Sequence, residues 1–307
     1  MSKYIKNPVS VLHADYWIPQ WPAPANVRAL CTTRAGGVSI GPYASLNLGT
    51  HVGDDPVAVG RNRARLAQAT GARPVFLNQV HGTRMVDLEA QTKDGQDADG
   101  AFTTEKGLAC TIMVADCLPI LLCDTQGSTV AAVHAGWRGL AGVGAHGSEG
   151  SKGSEGVLEA IYKKFSLLAL VEPTQSATKI IAWLGPCIGP DVFEVGAEVR
   201  AAFVDYAAQA VDCFTPLSGG KWRADLPALA RQRLQALGID QVFGNDSSAP
   251  WCTVGNPSRF FSYRRDGVSG RLAACVWLAL GLLNSLLALD GTFATRRTHE
   301  IQDQRDR

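Results

Sequence analysis

Three stretches of this chain end an apolar run in a metal-ligating side chain beside glycine or proline. Val80-His81-Gly82 is one, Asp116-Cys117-Leu118-Pro119 is another, and His134-Ala-Gly-Trp-Arg-Gly139 is the third. Two imidazoles and one thiolate make three protein ligands. That number leaves one position of a zinc ion open for chemistry, whereas a structural zinc site is closed by four. Zinc in such a site lowers the pKa of a bound water to about 7. The same residues admit a different chemistry, in which His81 or His134 takes the Cys117 proton and the thiolate attacks as in a cysteine hydrolase. A ligand cysteine needs metal and a nucleophile does not, so metal content separates the two. Asp116 adjoins Cys117 as a proton shuttle or an orienting partner; a turn carboxylate with neither role fits the pattern equally well.

Arginine beside glycine is the second chemical feature. Arg34 precedes Gly36-Gly37, Arg138 lies between Trp137 and Gly139, and Arg264-Arg265 follow Tyr263. Forked guanidinium donors next to open backbone N–H groups suit phosphate or another small anion. Asn47, in Ser45-Leu-Asn-Leu-Gly49, is a polar side chain that could read a ligand or shape a turn.

The elements around these residues read as short buried strands. Val27–Thr33, Pro74–Leu77, Arg84–Leu88, Leu108–Val114, Pro119–Cys123, Thr129–Val133 and Ile180–Leu184 are apolar and rich in β-branched residues. Phe260–Arg265 and Arg271–Leu278 are expected to close the sheet as strands. Helices are expected over Asp55–Thr70, with Pro56 in the first turn, over Val157–Leu170, Gly196–Ala208, and Asp225–Leu237 with Asp225 as N-cap. Residues 1–19 read as an extended lead-in, 20–279 as one catalytic domain, and 280–307 as an extra helix and polar tail. The Gly/Ser-rich tract 141–156 reads as an inserted loop, and His146 within it as solvated.

Composition narrows the function classes. A formal charge of +1 over 307 residues gives no basic field for nucleic acid or anionic lipid. The eight cysteines are dispersed without a Cys-x-x-Cys pair, as in a reduced cytoplasmic protein. Leu272–Leu289 approaches membrane-spanning length, but Gly281, Asn284 and Ser285 interrupt it and its first half reads as a buried strand.

The motifs taken together resemble one family. Thr32-Thr-Arg-Ala-Gly-Gly37, Ser45-Leu-Asn-Leu-Gly49, Gln79-Val-His-Gly82, Ala115-Asp-Cys-Leu-Pro119, His134-Ala-Gly-Trp-Arg-Gly139, Leu184-Gly-Pro-Cys-Ile-Gly-Pro190, Phe193-Glu-Val-Gly196 and Phe261-Ser-Tyr-Arg-Arg-Asp266 follow in the order of the YfiH family. That family is also called the multicopper polyphenol oxidase or laccase-domain family, and the purine nucleoside phosphorylase family of laccase-domain type. The resemblance covers about Gln20 to Leu278. It implies an α+β fold, a single-domain layered α-β-β-α sandwich similar to the catalytic domain of cytotoxic necrotizing factor. It implies zinc on His81, Cys117 and His134. It implies phosphorolysis of adenosine, inosine, guanosine and methylthioadenosine, and hydrolytic deamination of adenosine. Phosphate or substrate would lie on Arg34, Asn47, Gln79 and Arg138. The partners implied are purine nucleosides and phosphate, without nucleic acid or membrane, for a monomer or small homo-oligomer. Some members carry a role in peptidoglycan editing, which suits the cysteine-hydrolase alternative. Copper chemistry of the laccase kind meets a shortage of donors. Of six histidines, His13, His146 and His299 lie in a lead-in, a loop and a tail, and the rest cannot ligate four coppers, although one Cu(II) could occupy a His₂Cys set.

Overall fold

The computed structural model describes residues 16–143, 155–171 and 179–281. In chain order the first half forms β1 (Tyr16–Trp17), β2 (Val27–Thr32), α1 (Pro56–Thr70), β3 (Arg73–Phe76), β4 (Met85–Asp87), β5 (Gly100–Thr103), β6 (Leu108–Val114), β7 (Leu118–Asp124), β8 (Val130–Ala135) and α2 (Trp137–Ala141). The second half forms α3 (Val157–Val171), β9 (Ile180–Leu184), β10 (Glu194–Val195), α4 (Ala197–Val204), β11 (Phe214–Pro216), β12 (Trp222–Ala224), α5 (Leu226–Ala236), β13 (Gln241–Gly244), α6 (Tyr263–Asp266) and β14 (Leu272–Leu278). Two large sheets result, β1-β2-β14-β6-β3 and β13-β9-β7-β8-β5-β4, with a small sheet β10-β12-β11 beside them. This is a mixed α/β fold with several sheets and few helices.

Strand alternation explains the stacking. Along β6, Leu108, Cys110, Ile112 and Val114 join Leu121 and Cys123 of β7 and Trp183 of β9 in the core between the sheets. The alternate residues Ala109 and Met113 face the other way and pack with Leu66 of α1. On the far side, Ile120 and Leu122 of β7 meet Ile161 of α3 and Leu234 of α5. Each large sheet is therefore buried on both faces, which is why its strands read as continuous apolar runs. Helix α1 begins where Asp55 accepts a hydrogen bond from the Val57 N–H at 3.0 Å, with Pro56 in the first turn. It stops at Gly71, whose φ of 61° suits glycine.

Two sequence expectations change and a third holds. Phe260–Arg265 is not a strand: Phe260 and Phe261 are buried in irregular chain, and Ser262 caps the helical turn α6 by accepting from the Arg265 N–H. The end of the lead-in is tied down, since Tyr16 and Trp17 pair with Thr32 and Cys31. Leu272–Leu278 is a central strand between β2 and β6, and among the described residues no helix is long and apolar enough to cross a membrane. Residues 1–15 of the lead-in with His13, residues 144–154 of the Gly/Ser tract with His146, and the tail from residue 282 with His299 lie outside the described residues.

The chain passes from one sheet to the other at Ala115-Asp116-Cys117, between β6 and β7. Asp116 makes the bend with a φ of 90°. Cys117 thus stands at the start of β7, and Pro119 of that strand pairs with His134 of β8. His81 reaches the same end of the sheet from the β3–β4 connection.

Candidate metal centre and its cleft

The three residues singled out at the strand ends converge. His81 Nε2 lies 3.8 Å from Cys117 Sγ, the His81 and His134 rings are 4.8 Å apart at 74°, and the three donor atoms lie within 4.8 Å of one another. Ligands of a tetrahedral zinc stand roughly 3.5 Å apart, so a small inward movement would close this set on one ion. His134 is buried, Cys117 half-buried and His81 exposed, so the group is held from the core and open toward solvent.

Asp99 fixes the geometry. It is fully buried, and its Oδ1 lies 2.8 Å from His134 Nδ1. That contact makes Nδ1 a donor to the carboxylate and leaves Nε2 as the nitrogen that would meet a metal ion beside Cys117 and His81. The same carboxylate accepts hydrogen bonds from the backbone N–H groups of Val80, His81 and Gly82 at 3.2, 2.9 and 2.6 Å. Those bonds hold His81 at a φ of 60°, a conformation that costs a non-glycine residue on the order of 1–3 kcal/mol. Burial would raise the Asp99 carboxyl, but His134 and the Gly82 and His81 N–H groups outweigh it and hold it below the usual carboxylate value.

Charge couples the three side chains. Burial would raise the Cys117 thiol, yet His134 and His81 bring it down to about 6. Burial would lower His134, yet the Cys117 thiolate and Asp99 bring it up to about 9. A cation at this position would replace the shared proton, because thiolate and neutral imidazole are the ligating forms. Gly136 is needed for the approach: a Cβ there would lie 2.9 Å from His81 Cδ2 and 3.1 Å from Cys117 Sγ.

The triad lies on a cleft of about 460 Å³, a size usual for small-molecule sites. Trp137, Phe193 and Tyr263 supply aromatic wall, Arg138, Arg264 and Arg271 supply positive charge, and His51 adds an imidazole. Asp116 also borders the cleft, but both its oxygens are engaged. Oδ1 accepts from Thr253 Oγ1 at 2.6 Å and Oδ2 from the Arg264 N–H at 2.7 Å. It pins the α6 turn, which carries Tyr263 and Arg264, to the wall.

The expected anion readers divide. Arg138 borders the cleft, with its guanidinium 4.5 Å from the Trp137 ring centre. Gln79 borders it too, but its amide pairs with the backbone of Met113 through bonds of 2.7 and 2.8 Å, and so ties the His81 loop to β6. Arg34 and Asn47 are not among the residues bordering the cleft. Arg34 donates to the carbonyls of Ala44 and Pro257, both at 2.8 Å, and lies over Phe261. Asn47 is fully buried and bonds the chain around it. Their residue types suit an anion, but Nε and Nη1 of Arg34 are spent on backbone carbonyls, and the Asn47 amide on backbone and Asp54. Sequence reasoning missed Asp99, His51 and Arg271. Asp99 precedes a strand, Gly100–Thr103, too weakly patterned to be read, and His51 was simply a histidine left over.

A family model described as multi-copper polyphenol oxidoreductase laccase matches residues 28–279. The chain is 47% identical over 264 residues to a purine nucleoside phosphorylase of Pseudomonas aeruginosa, covering 85% of this chain and 98% of that one. It is 44% identical over 263 residues to the purine nucleoside phosphorylase YfiH of Escherichia coli, with the same coverage of 85% and 98%. Among solved structures, a Neisseria meningitidis protein superposes with a TM-score of 0.74 at 43% identity, covering 87% of this chain and 100% of that chain. A hypothetical YfiH protein of Bacillus licheniformis superposes at 0.70 with 28% identity, covering 82% and 92%.

Proposed function

The chain belongs to the family described as multi-copper polyphenol oxidoreductase laccase, and from that premise we propose that it is a metal-dependent purine nucleoside phosphorylase. The observation that carries the reading is the His81–Cys117–His134 group opening onto a cationic, partly aromatic cleft. The name carried by the Pseudomonas and Escherichia relatives supports it. Adenosine, inosine, guanosine and methylthioadenosine are the proposed substrates, with hydrolytic deamination of adenosine as a second reaction of the same cleft. Zinc is the proposed ion, since its preferred donors and open fourth position match the set, and Cu(II) is the competing one. Polyphenol oxidation by several coppers would need further donors, and one ligand group of this kind is found among the described residues. The cytoplasm is the proposed compartment.

In phosphorolysis a phosphate oxygen bonds C1′ while the C1′–N9 bond breaks, and the purine leaves with the electron pair and takes a proton. In deamination the oxygen of water adds at C6 and ammonia leaves. A bound zinc ion would supply Lewis-acid polarisation at the open side of the triad. The protein supplies the rest. Asp99 sets the tautomer of His134, Trp137 and Tyr263 offer ring faces to a planar base, and the arginines balance the charge of an entering anion.

Elemental analysis of the freshly purified protein, followed by incubation with adenosine and phosphate and chromatography of the products, tests the reading. Adenine with ribose 1-phosphate, or inosine, should form, and His81→Ala and Cys117→Ala should abolish both. Full turnover by Cys117→Ala would end the proposal. The thiol lowered to about 6 beside two imidazoles favours one alternative, a cysteine hydrolase acting on peptidoglycan precursors. A wild type inert to nucleosides that forms an adduct on Cys117 with such a precursor would establish it.

A further inference from the structure

Three arginines border the cleft against a single carboxylate. Arg138, Arg264, Arg271 and His51 border it, and the sole carboxylate among the bordering residues is Asp116, which is held by Thr253 and the Arg264 N–H. An excess of positive charge in a partly desolvated pocket is a site for an anion.

The three arginines and His51 are not equivalent. Arg138 and Arg264 are exposed, and Arg264 Nη1 donates to the Glu194 carbonyl at 3.2 Å. Arg271 is half-buried, and its stem packs so closely on the 47–51 loop that a Cβ on Gly49 would lie 2.8 Å from Arg271 Cγ. Its Nη1 is anchored on the carbonyls of Ser269 and Gly270 at 2.9 and 3.1 Å, and no hydrogen bond among the described residues engages Nε or Nη2. A guanidinium fixed at one nitrogen, with two others free of hydrogen bonds among the described residues, offers a fork for an oxyanion. His51 ends the same loop, close enough to Arg271 for that charge, after burial itself, to hold its imidazole below the usual value. Asn47 joins the two. Its Oδ1 accepts from the Gly49 N–H and from the Arg271 N–H, both at 2.9 Å.

We propose that Arg271 and His51 bind the phosphate in this cleft, and that Asn47 is the positioning residue that brings them together. This rests on the phosphorolytic reading above, and relocates the anion from Arg34 and Asn47 to residues that face the cavity.

The test uses the full-length, metal-loaded protein and inorganic phosphate. Arg271→Met keeps the stem on Gly49 and removes the fork. It should raise the KM for phosphate about tenfold or more, the scale of a lost charged hydrogen bond, with a much smaller change in the KM for nucleoside. His51→Asn should raise the KM for phosphate in the same sense. Arg34→Met should lower the melting temperature and leave the KM for phosphate in place. The reverse pattern, with the loss at Arg34 and none at Arg271, overturns the proposal. Should Arg271→Met fail to fold, butanedione labelling of the wild type decides: phosphate alone should protect Arg271, and labelling indifferent to phosphate overturns the assignment. A protein that splits no nucleoside yet shows this protection refutes the phosphorolytic reading and retains the subsite.

Discussion

Asp99 Oδ1 sits 2.8 Å from His134 Nδ1 while the same carboxylate takes the N–H groups of Val80, His81 and Gly82. One buried side chain therefore sets the tautomer of one proposed ligand and the backbone of another. Asp99→Asn keeps the volume but removes the charge and brings an N–H₂ group toward donors that need an acceptor. We expect metal affinity to fall about 10- to 100-fold, the usual cost of losing a ligand-orienting carboxylate. Zinc competition against a chromophoric chelator measures it. Unchanged affinity would show that Asp99 serves the fold alone.

Gly136 offers a test free of backbone strain. Its φ of −66° and ψ of 159° are open to any residue, so Gly136→Ala acts only through the added methyl. That methyl would meet His81 and Cys117 at 2.9 and 3.1 Å. The expected result is a chain with native circular dichroism and a reduced metal-to-protein ratio. Full metal occupancy in the alanine variant would mean that the three side chains retreat without separating.

The triad was legible because each member follows an apolar run beside a glycine or proline, although of the three only His134 lies within a strand, His81 coming from the β3–β4 connection and Cys117 from the turn before β7. Asp99 was not, because it works through the backbone of a loop distant in sequence and precedes a strand whose Gly-Ala-Phe-Thr carries no alternation. Phe260 and Phe261 misled for the opposite reason: paired aromatics read as a strand, but here they plug the core from irregular chain held by Ser262 and Arg265. Arg34 and Asn47 show that side-chain chemistry predicts what a residue can bind and not which partner packing gives it.

His51 should respond to pH and phosphate together. Burial comes first, then Arg271 and Arg63, in lowering its imidazole below 6.5. A base depressed in the folded state binds its proton more readily when unfolded. Its contribution to stability is therefore complete above about 6.5 and is lost as the pH falls through the folded value. Histidine NMR of the folded protein should find the His51 resonance titrating below 6.5, and inorganic phosphate should move that midpoint upward. A midpoint indifferent to phosphate would place the anion out of reach of His51.

Asn47 tests whether fold and site share one support. It is fully buried, donates to the Gly49 carbonyl at 3.2 Å and Asp54 Oδ2 at 2.9 Å, and accepts from the Gly49 and Arg271 N–H groups, both at 2.9 Å. Asn47→Ala strands several buried polar groups, which costs about 2–4 kcal/mol of stability, read by urea unfolding. A purely structural asparagine would lower stability and leave the kinetics of the surviving folded protein alone. A positioning one would also raise the KM for phosphate, because Arg271 and the His51 loop lose their common anchor, while the nucleoside KM changes far less. Asn47→Asp separates the effects further. It keeps the Oδ1 acceptor for Gly49 and Arg271 but sets a second carboxylate against Asp54, so it should lose stability and retain more of the phosphate affinity than the alanine variant. Equal phosphate KM values in all three proteins, measured at a temperature where each is folded, would reduce Asn47 to a packing residue.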